Sequence, residues 1–447
     1  MGSWAENEFG GASLGDKRLN LRLIKLAERF AEHPTASIPG ACGGAAETKA
    51  AYRFFDQANA DQRELGWEAV LQPHLESTAI RMRQHPVVLC IQDTTELDFN
   101  GQAIAGLGPL SYEAQRGMYL HPTYAVTPQR EPLGVMDAWM WARQFKAADG
   151  SRPGICESVR WIEGYERVAE IALSMPQTRL VYMADREADM RALMECAQAL
   201  GTPADWLIRA QHDRCLPQGG KLWSATRANE PLGEIEFTLS SRQGQAKRTV
   251  RQRLWAHSVV LPGAAGGVRV TCVIASEMDP PDGIKPIEWR LVSNRPVTTL
   301  EAAVELIDWY RCRWEIETLF HVLKNGCRVE ALQLDSQAKL ELALALYLVV
   351  SWRIAHMVRL GRIHPSLPAD LFFAEVEWTG AYVLNRKKPP KQPPTVREVV
   401  RLIAQLGGFL ARKGDGEPGV KSLWLGMSRL RDFAITVEHM KKQHHEN

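Results

Sequence analysis

Apolar positions recur every three to four residues in SLGDKRLNLRLIKLAERFAEH, near the start of the chain. That spacing predicts a helix beginning at Ser13 or Asp16, with Lys17, Arg18 and Arg22 leading its polar side. A glycine-rich loop at 40–44 separates it from a second helical stretch, AETKAAYRFFDQ, which adds Lys49 and Arg53. From about residue 86 the period changes. HPVVLCIQDTTELDF is a continuous apolar run that stops at Asp93, which reads as a buried strand with a carboxylate at its end. Strand patterns at 119–128 and 132–143 predict an antiparallel meander, a helix is expected over 154–174, and RLVYMADREADM repeats the first strand's plan by ending in Asp185. Asp189 is expected to open a helix running to Leu200, and 206–213 to form another strand. Between 216 and 298 short strands alternate with Gly, Pro and Asp-Gly turns, which reads as a β-rich insertion in an α/β core. The remainder from 337 is mainly helical, interrupted by the basic, proline-rich NRKKPPKQPP, an exposed loop or linker.

Residues 309–324, WYRCRWEIETLFHVLK, carry a different kind of pattern. At about 100° per residue, Tyr310, Arg313, Glu317 and Lys324 share roughly 60° of one helical surface. His321 lies close to that stripe, Leu319, Phe320 and Leu323 point elsewhere, and Gly326 is placed to stop the helix. On an arbitrary helix an Arg and a Glu at this spacing form a weak solvated pair. Partner carboxylates elsewhere in the chain change that reading, and Asp93 and Asp185 are such partners. Each alone reads as a turn or capping residue after a strand. Together they mark the ends of two strands of one sheet, where sites of α/β folds lie.

Composition narrows the class further. The chain is 45% hydrophobic and 24% charged, enough for two to four domains with ordinary cores. The apolar stretch at 342–352 is short for a bilayer and reads as a buried helix. No charged-then-apolar leader pattern opens the chain, which places it in the cytoplasm, associated with DNA if the chemistry below holds. Eight cysteines are scattered without a CxxC pair, arguing against a zinc module or a disulfide framework. A net charge of +2 does not announce a nucleic-acid binder, so DNA contacts must come from local clusters such as Lys17, Arg18, Arg22 and Arg53.

Three acids brought together cannot all remain ionised cheaply without a cation among them. Oxygen-only ligand sets select hard ions, Mg²⁺ with Mn²⁺ able to substitute. Two such ions would activate an attacking hydroxyl and stabilise the leaving oxygen in displacement at phosphorus, with Asp93, Asp185 and Glu317 as ligands and as the catalytic residues. Arg313, Lys324 and Tyr310 would then hold phosphate oxygens of a nucleic-acid backbone.

With Asp185 inside ADREAD and Glu317 inside a YxxRxxxExxxxxxK pattern, the sequence resembles the DDE transposases that carry a YREK signature, in the insertion-sequence-four family. The likeness extends through GDKRLNLRL, AYRF, IQDTTELDF, PIEWRLVSNRPV, AQLGGFL and SLWLGMSRL, so it covers nearly the whole chain. It implies a mixed α/β fold: a ribonuclease-H-like catalytic core at 76–335 with a β-strand insertion at 216–298, a helical DNA-binding domain at 1–75 and a helical dimerisation domain at 336–447. It implies a homodimer on double-stranded DNA that nicks transposon ends, forms and opens a hairpin, and transfers strands into target DNA. Tyr310, Arg313 and Lys324 match positions that grip DNA near the hairpin, Trp289 matches a tryptophan that stacks on a flipped base, and Arg209 matches a phosphate-contacting arginine. The chain is shorter than its relatives toward the C-terminus, and its N-terminal basic helix differs in detail. A nuclease that only cleaves, and a catalytically silent end-binding protein or regulator of transposition, are the competing readings; the intact acids weigh against the second.

Overall fold

The computed structural model describes residues 3–59, 65–239, 248–263 and 266–446. Its elements in chain order are α1 (Trp4–Phe9), α2 (Lys17–Glu32), α3 (Ile38–Ala41), α4 (Ala45–Phe55) and α5 (Trp67–Met82), then β1 (Val87–Gln92), β2 (Thr95–Asp98), β3 (Gly108–Pro109), β4 (Arg116–Val126) and β5 (Pro132–Trp141). There follow α6 (Val159–Leu173), β6 (Arg179–Ala184), α7 (Arg191–Ala199), β7 (Asp205–Arg209), α8 (Leu222–Arg227), and the strands β8 (Gly233–Leu239), β9 (Arg248–Leu261), β10 (Val268–Met278) and β11 (Glu288–Ser293). The chain closes with α9 (Leu300–Arg311), α10 (Trp314–His321), α11 (Gln337–Ile363), α12 (Glu375–Leu384), α13 (Val396–Leu406) and α14 (Val420–Glu446).

One sheet organises the fold. β5, β4, β1, β6 and β7 lie side by side; β4 is antiparallel to both neighbours, and β1, β6 and β7 are parallel. This mixed arrangement is that of a ribonuclease-H-like core, and it is the transposase-type α/β fold that the resemblance implies. Strands β1 and β6 read VVLCIQ and RLVYMA because both faces are covered. Leu89, Ile91, Val181 and Met183 join the core that contains α11, while Val88, Cys90, Leu180 and Tyr182 pack under α6 and α7. The β-rich segment after 216 is continuous with this sheet: β11 pairs with β7, and β10, β9 and β8 extend the same edge. Residues 240–247, within the β-rich segment expected over 216–298, lie outside the described residues.

The apolar run at 342–352 sits inside α11, a helix of 27 residues. By length and composition α11 could cross a membrane, contrary to the expectation from the shorter run, but 83% of its apolar window is buried inside the protein. It packs on α2, α5, β5 and α13 and so ties the N-terminal and C-terminal helices to the sheet.

Two local expectations are corrected. Asp189 does not open α7: Met190 stands at the helix start, and the Asp189 carboxylate is buried instead. The helix expected over 309–324 is two helices and a wider turn. At Cys312–Ile316 backbone amides bond three residues back rather than four, and residues Val322–Gly326 form a π turn closed by Cys327 N–H donating to the Val322 carbonyl. A methyl group at Gly326 would stand 3.0 Å from the Trp424 ring, so glycine lets α14 approach the turn.

Candidate active site

Parallel register levels the site residues. Ile91 is opposite Met183 and Ala184 opposite Ile208, so the same steps bring Asp93, Asp185 and Arg209 side by side at the carboxyl ends of β1, β6 and β7. On the neighbouring strand Arg209 faces Leu291, two residues from Trp289. The turn between α9 and α10 lays Tyr310, Arg313 and Glu317 across this edge. Sequence-distant positions thus converge because three parallel strands end together beneath one broken helix.

Arg313 is the centre of the cluster. Its Nη1 donates to Asp93 Oδ2 at 2.5 Å and lies 3.7 Å from Glu317 Oε1. Burial works against the guanidinium's charge, but Tyr310 and the carboxylates of Asp93, Asp185 and Glu317 outweigh it and hold its pKa above the ordinary value. Burial also pushes the Asp93 carboxyl up to about 7; Arg313 opposes the rise, while the nearby charges of Asp185 and Glu317 add to it. The three acids therefore share one electrostatic neighbourhood. Among the described residues, however, no three His, Cys, Asp or Glu side chains are gathered as a ready metal-ligand set. The cation between Asp93 and Glu317 is Arg313.

Tyr310 is 6% exposed, and burial raises its hydroxyl pKa to about 12. Its Oη and Arg313 Nε are both buried without a hydrogen-bond partner in the protein. Unsatisfied donors of this kind are costly unless a ligand answers them. Trp289 is half-buried and packs edge-on against Tyr310, with ring centroids 6.2 Å apart. Arg209 is half-buried, and burial lowers its pKa below the usual arginine value. Lys324, carried by the π turn, lies 3.6 Å from Glu330, whose carboxylate also accepts the Asp98 amide at 3.0 Å. In the N-terminal helices Lys17, Arg18 and Arg53 are exposed and Arg22 half-buried, with no carboxylate partner among the described residues, whereas Lys25 and Arg29 are tied to Glu47.

Several supporting residues had no sequence signal. Asp93 Oδ1 accepts the Thr94 amide, and Thr94 Oγ1 shares a 2.6 Å hydrogen bond with buried His121. Burial depresses the His121 pKa to about 3, keeping that ring neutral. Tyr182 donates to Gln92 Oε1 at 2.7 Å directly beneath the two strand ends. Asp189 accepts the amides of Gln211 and His212 at 2.6 and 2.9 Å and pairs with Arg214 at 2.6 Å, fastening the chain just beyond Arg209. Trp314 is 57% exposed beside Arg313, with the guanidinium 5.4 Å from its ring. The bonds made by His121, Tyr182 and Asp189 join positions 22 to 90 residues apart, and no local period reveals them.

Comparison with known proteins gives three family matches in order along the chain. Residues 1–60 match the family described as Transposase DNA-binding, 180–352 the Transposase DDE domain, and 349–445 the Transposase Tn5 dimerisation domain. The DDE match includes Asp185 and Glu317, and Asp93 lies ahead of it. Among solved structures, a piggyBac transposase synaptic complex with hairpin DNA is similar at 7% identity and a TM-score of 0.34, over 66% of this chain and 52% of that one. The chain thus spans about half the length of that relative.

Proposed function

From the premise that the chain belongs with the Tn5-like DDE transposases, as the three matched modules in their order establish, we propose that it is an active cut-and-paste transposase. Acting as a homodimer on double-stranded transposon ends, it nicks one strand, uses the freed 3′ hydroxyl to form a hairpin, opens the hairpin and joins the ends to target DNA. The proposed division is a DNA-binding segment to residue 75, a catalytic segment over 76–335 and a dimerisation segment over 336–447.

The observation that supports the reading is the Arg313 guanidinium buried between Asp93 and Glu317, beside unanswered donors, with Asp185 level with Asp93 on the next parallel strand. Asp93 and Glu317 offer carboxylate oxygen only and already face a cation, Arg313, and oxygen-only ligands suit a hard divalent ion. Asp93, Asp185 and Glu317 would hold Mg²⁺, or Mn²⁺, two ions per site; bound there, the metal supplies Lewis-acid activation of the attacking and leaving oxygens. The chain's own groups do the rest. Arg313 leaves Asp93 to meet a DNA phosphate, where its Nε and the Tyr310 hydroxyl find the acceptor they lack. Lys324 exchanges Glu330 for a second phosphate. Arg209, level with Asp185, steadies the strand, and Trp289 offers an indole face to an unstacked base. Lys17, Arg18, Arg22 and Arg53 contact duplex phosphates farther along the end.

Strand transfer separates this reading from a nuclease or a silent end-binding protein. Purified protein, a pre-cleaved end duplex with a free 3′ hydroxyl and supercoiled plasmid are incubated with Mg²⁺. Joined end–plasmid product supports the transposase. Cleavage of flanked ends without joining favours the nuclease, and binding without either favours the regulator.

A further inference from the structure

A second charged surface lies far along the chain from these residues. Helix α12 ends at Leu384, and the next ten residues read NRKKPPKQPP, without a single acid. Arg386, Lys387, Lys388 and Lys391 are all exposed, and none has a carboxylate partner among the described residues. The next arginines, Arg397 and Arg401, are by contrast both bonded to Glu417, at 2.5 and 3.1 Å. Four uncompensated cations within six residues exceed the net charge of the whole chain, +2.

The loop is held, and held at some cost. Asn385 donates its amide to the carbonyls of Ala381 and Leu402 at one base, and the Pro394 carbonyl accepts the Ala369 amide at the other. Pro389, Pro390, Pro393 and Pro394 fix φ at about −65°, so little flexibility remains to be lost on docking. Arg386 sits in the left-handed region at φ 58°, the helix-end position where glycine is the low-strain choice. The Lys387 amide, donating back to the Tyr382 carbonyl, completes that turn. A helix C-terminus attracts basic residues through its dipole, which accounts for Arg386 and Lys387. Lys388 and Lys391 lie beyond the reach of that effect.

We infer that residues 386–391 form an anion-binding surface for the phosphate backbone of duplex DNA, read without regard to sequence; this rests on the transposase reading. Lysine ammonium groups are point charges suited to phosphate oxygens. The segment has no aromatic residue to stack on an unpaired base, and of its two side-chain amides that of Asn385 is spent on the Ala381 and Leu402 carbonyls, which leaves Gln392 to read a base edge. It therefore adds affinity for any duplex, a requirement for holding target DNA of arbitrary sequence.

The test is binding of a fluorescent random-sequence duplex, and of end DNA, across a salt series, for the full chain and for the triple variant K387Q/K388Q/K391Q. Arg386 is kept so that the helix end is undisturbed. The logarithmic salt slope is expected to fall by about 2 to 3, near 0.9 for each phosphate no longer neutralised, equally for both duplexes, and K387R/K388R/K391R is expected to restore it. An unchanged slope in the triple variant, with the parent binding normally, overturns the inference. So does loss of binding to phosphatidylserine vesicles with DNA binding intact, which would assign the patch to a membrane. Failure of the parent to bind any duplex would instead overturn the transposase reading itself.

Discussion

Arg313 Nη1 lies 2.5 Å from Asp93 Oδ2, joining the turn between α9 and α10 to the end of β1 across 220 residues of sequence. The contact puts a side-chain cation where the acids of a phosphoryl-transfer site would place a metal ion. A single guanidinium cannot serve both a DNA phosphate and Asp93 in full, so under the proposed function DNA and metal are coupled through it. By linkage, a ligand that withdraws Arg313 from Asp93 raises the affinity of the acids for a cation, typically 5-fold or more.

Arg313→Met therefore has opposite effects on two binding events. Mn²⁺ affinity measured without DNA, by calorimetry or paramagnetic resonance, is expected to rise about tenfold, while cleavage of end DNA falls. Unchanged Mn²⁺ affinity would show that Arg313 does not compete for the acids.

The raised pKa of Asp93 has a sign that can be checked without metal or DNA. Its ordinary value is 3.8 and its folded value about 7, so the folded state holds a proton that the unfolded chain has released over that interval. Stability from this group is full below the lower value and is lost as pH rises through the upper one. Relative to Asp93→Asn, the parent should lose Tm between pH 4 and pH 7 and then run parallel. A constant difference across that range would contradict the burial argument.

Asp189 shows what the sequence did and did not reveal. The apolar runs ending in Asp93 and Asp185 announced two buried strands, and the YxxRxxxE spacing placed Tyr310, Arg313 and Glu317 on one surface; the sheet edge brings these together. The carboxylate of Asp189 was expected at a helix start, because the sequence after it is helical and Asp favours such starts. Its partners, the amides of Gln211 and His212 and the Arg214 guanidinium, belong to the turn after the next parallel strand, and strand pairing is not visible in any local period. The break at Cys312 and the π turn at 322–326 leave no local signal for a related reason. Both depend on tertiary contacts, here with Asp93 just past β1 and with α14, rather than on helix propensity.

Since Asp189 is 1% exposed, Asp189→Asn breaks a buried ion pair. A loss of about 3 kcal/mol is expected, read by urea denaturation as a lower midpoint at unchanged slope. A loss under about 0.5 kcal/mol, the range of surface substitutions, would mean the clamp is dispensable.

Helices α13 and α14 approach through glycine. A methyl group at Gly426 would stand 1.8 Å from the Ile403 carbonyl oxygen, and one at Gly407 1.9 Å from that of Ser422. Gly→Ala inside a helix ordinarily stabilises by about 1 kcal/mol. Here the backbones must part, so Gly426→Ala should destabilise by about 1–3 kcal/mol instead. Thermal unfolding gives the sign, and sedimentation shows whether dimer formation on DNA weakens with it. A raised Tm would contradict the close packing of these helices.

Under the proposed function Asp93, Asp185 and Glu317 act together on DNA. This is tested most directly with end-labelled duplex carrying the element's end and flank, incubated with parent or Glu317→Gln protein in Mg²⁺ or EDTA, and resolved in parallel on native and denaturing gels. The parent should shift the duplex and, only with Mg²⁺, yield a nicked strand and a hairpin. Glu317→Gln should shift it equally and yield neither. Cleavage that survives Glu317→Gln, or proceeds in EDTA, would contradict the account.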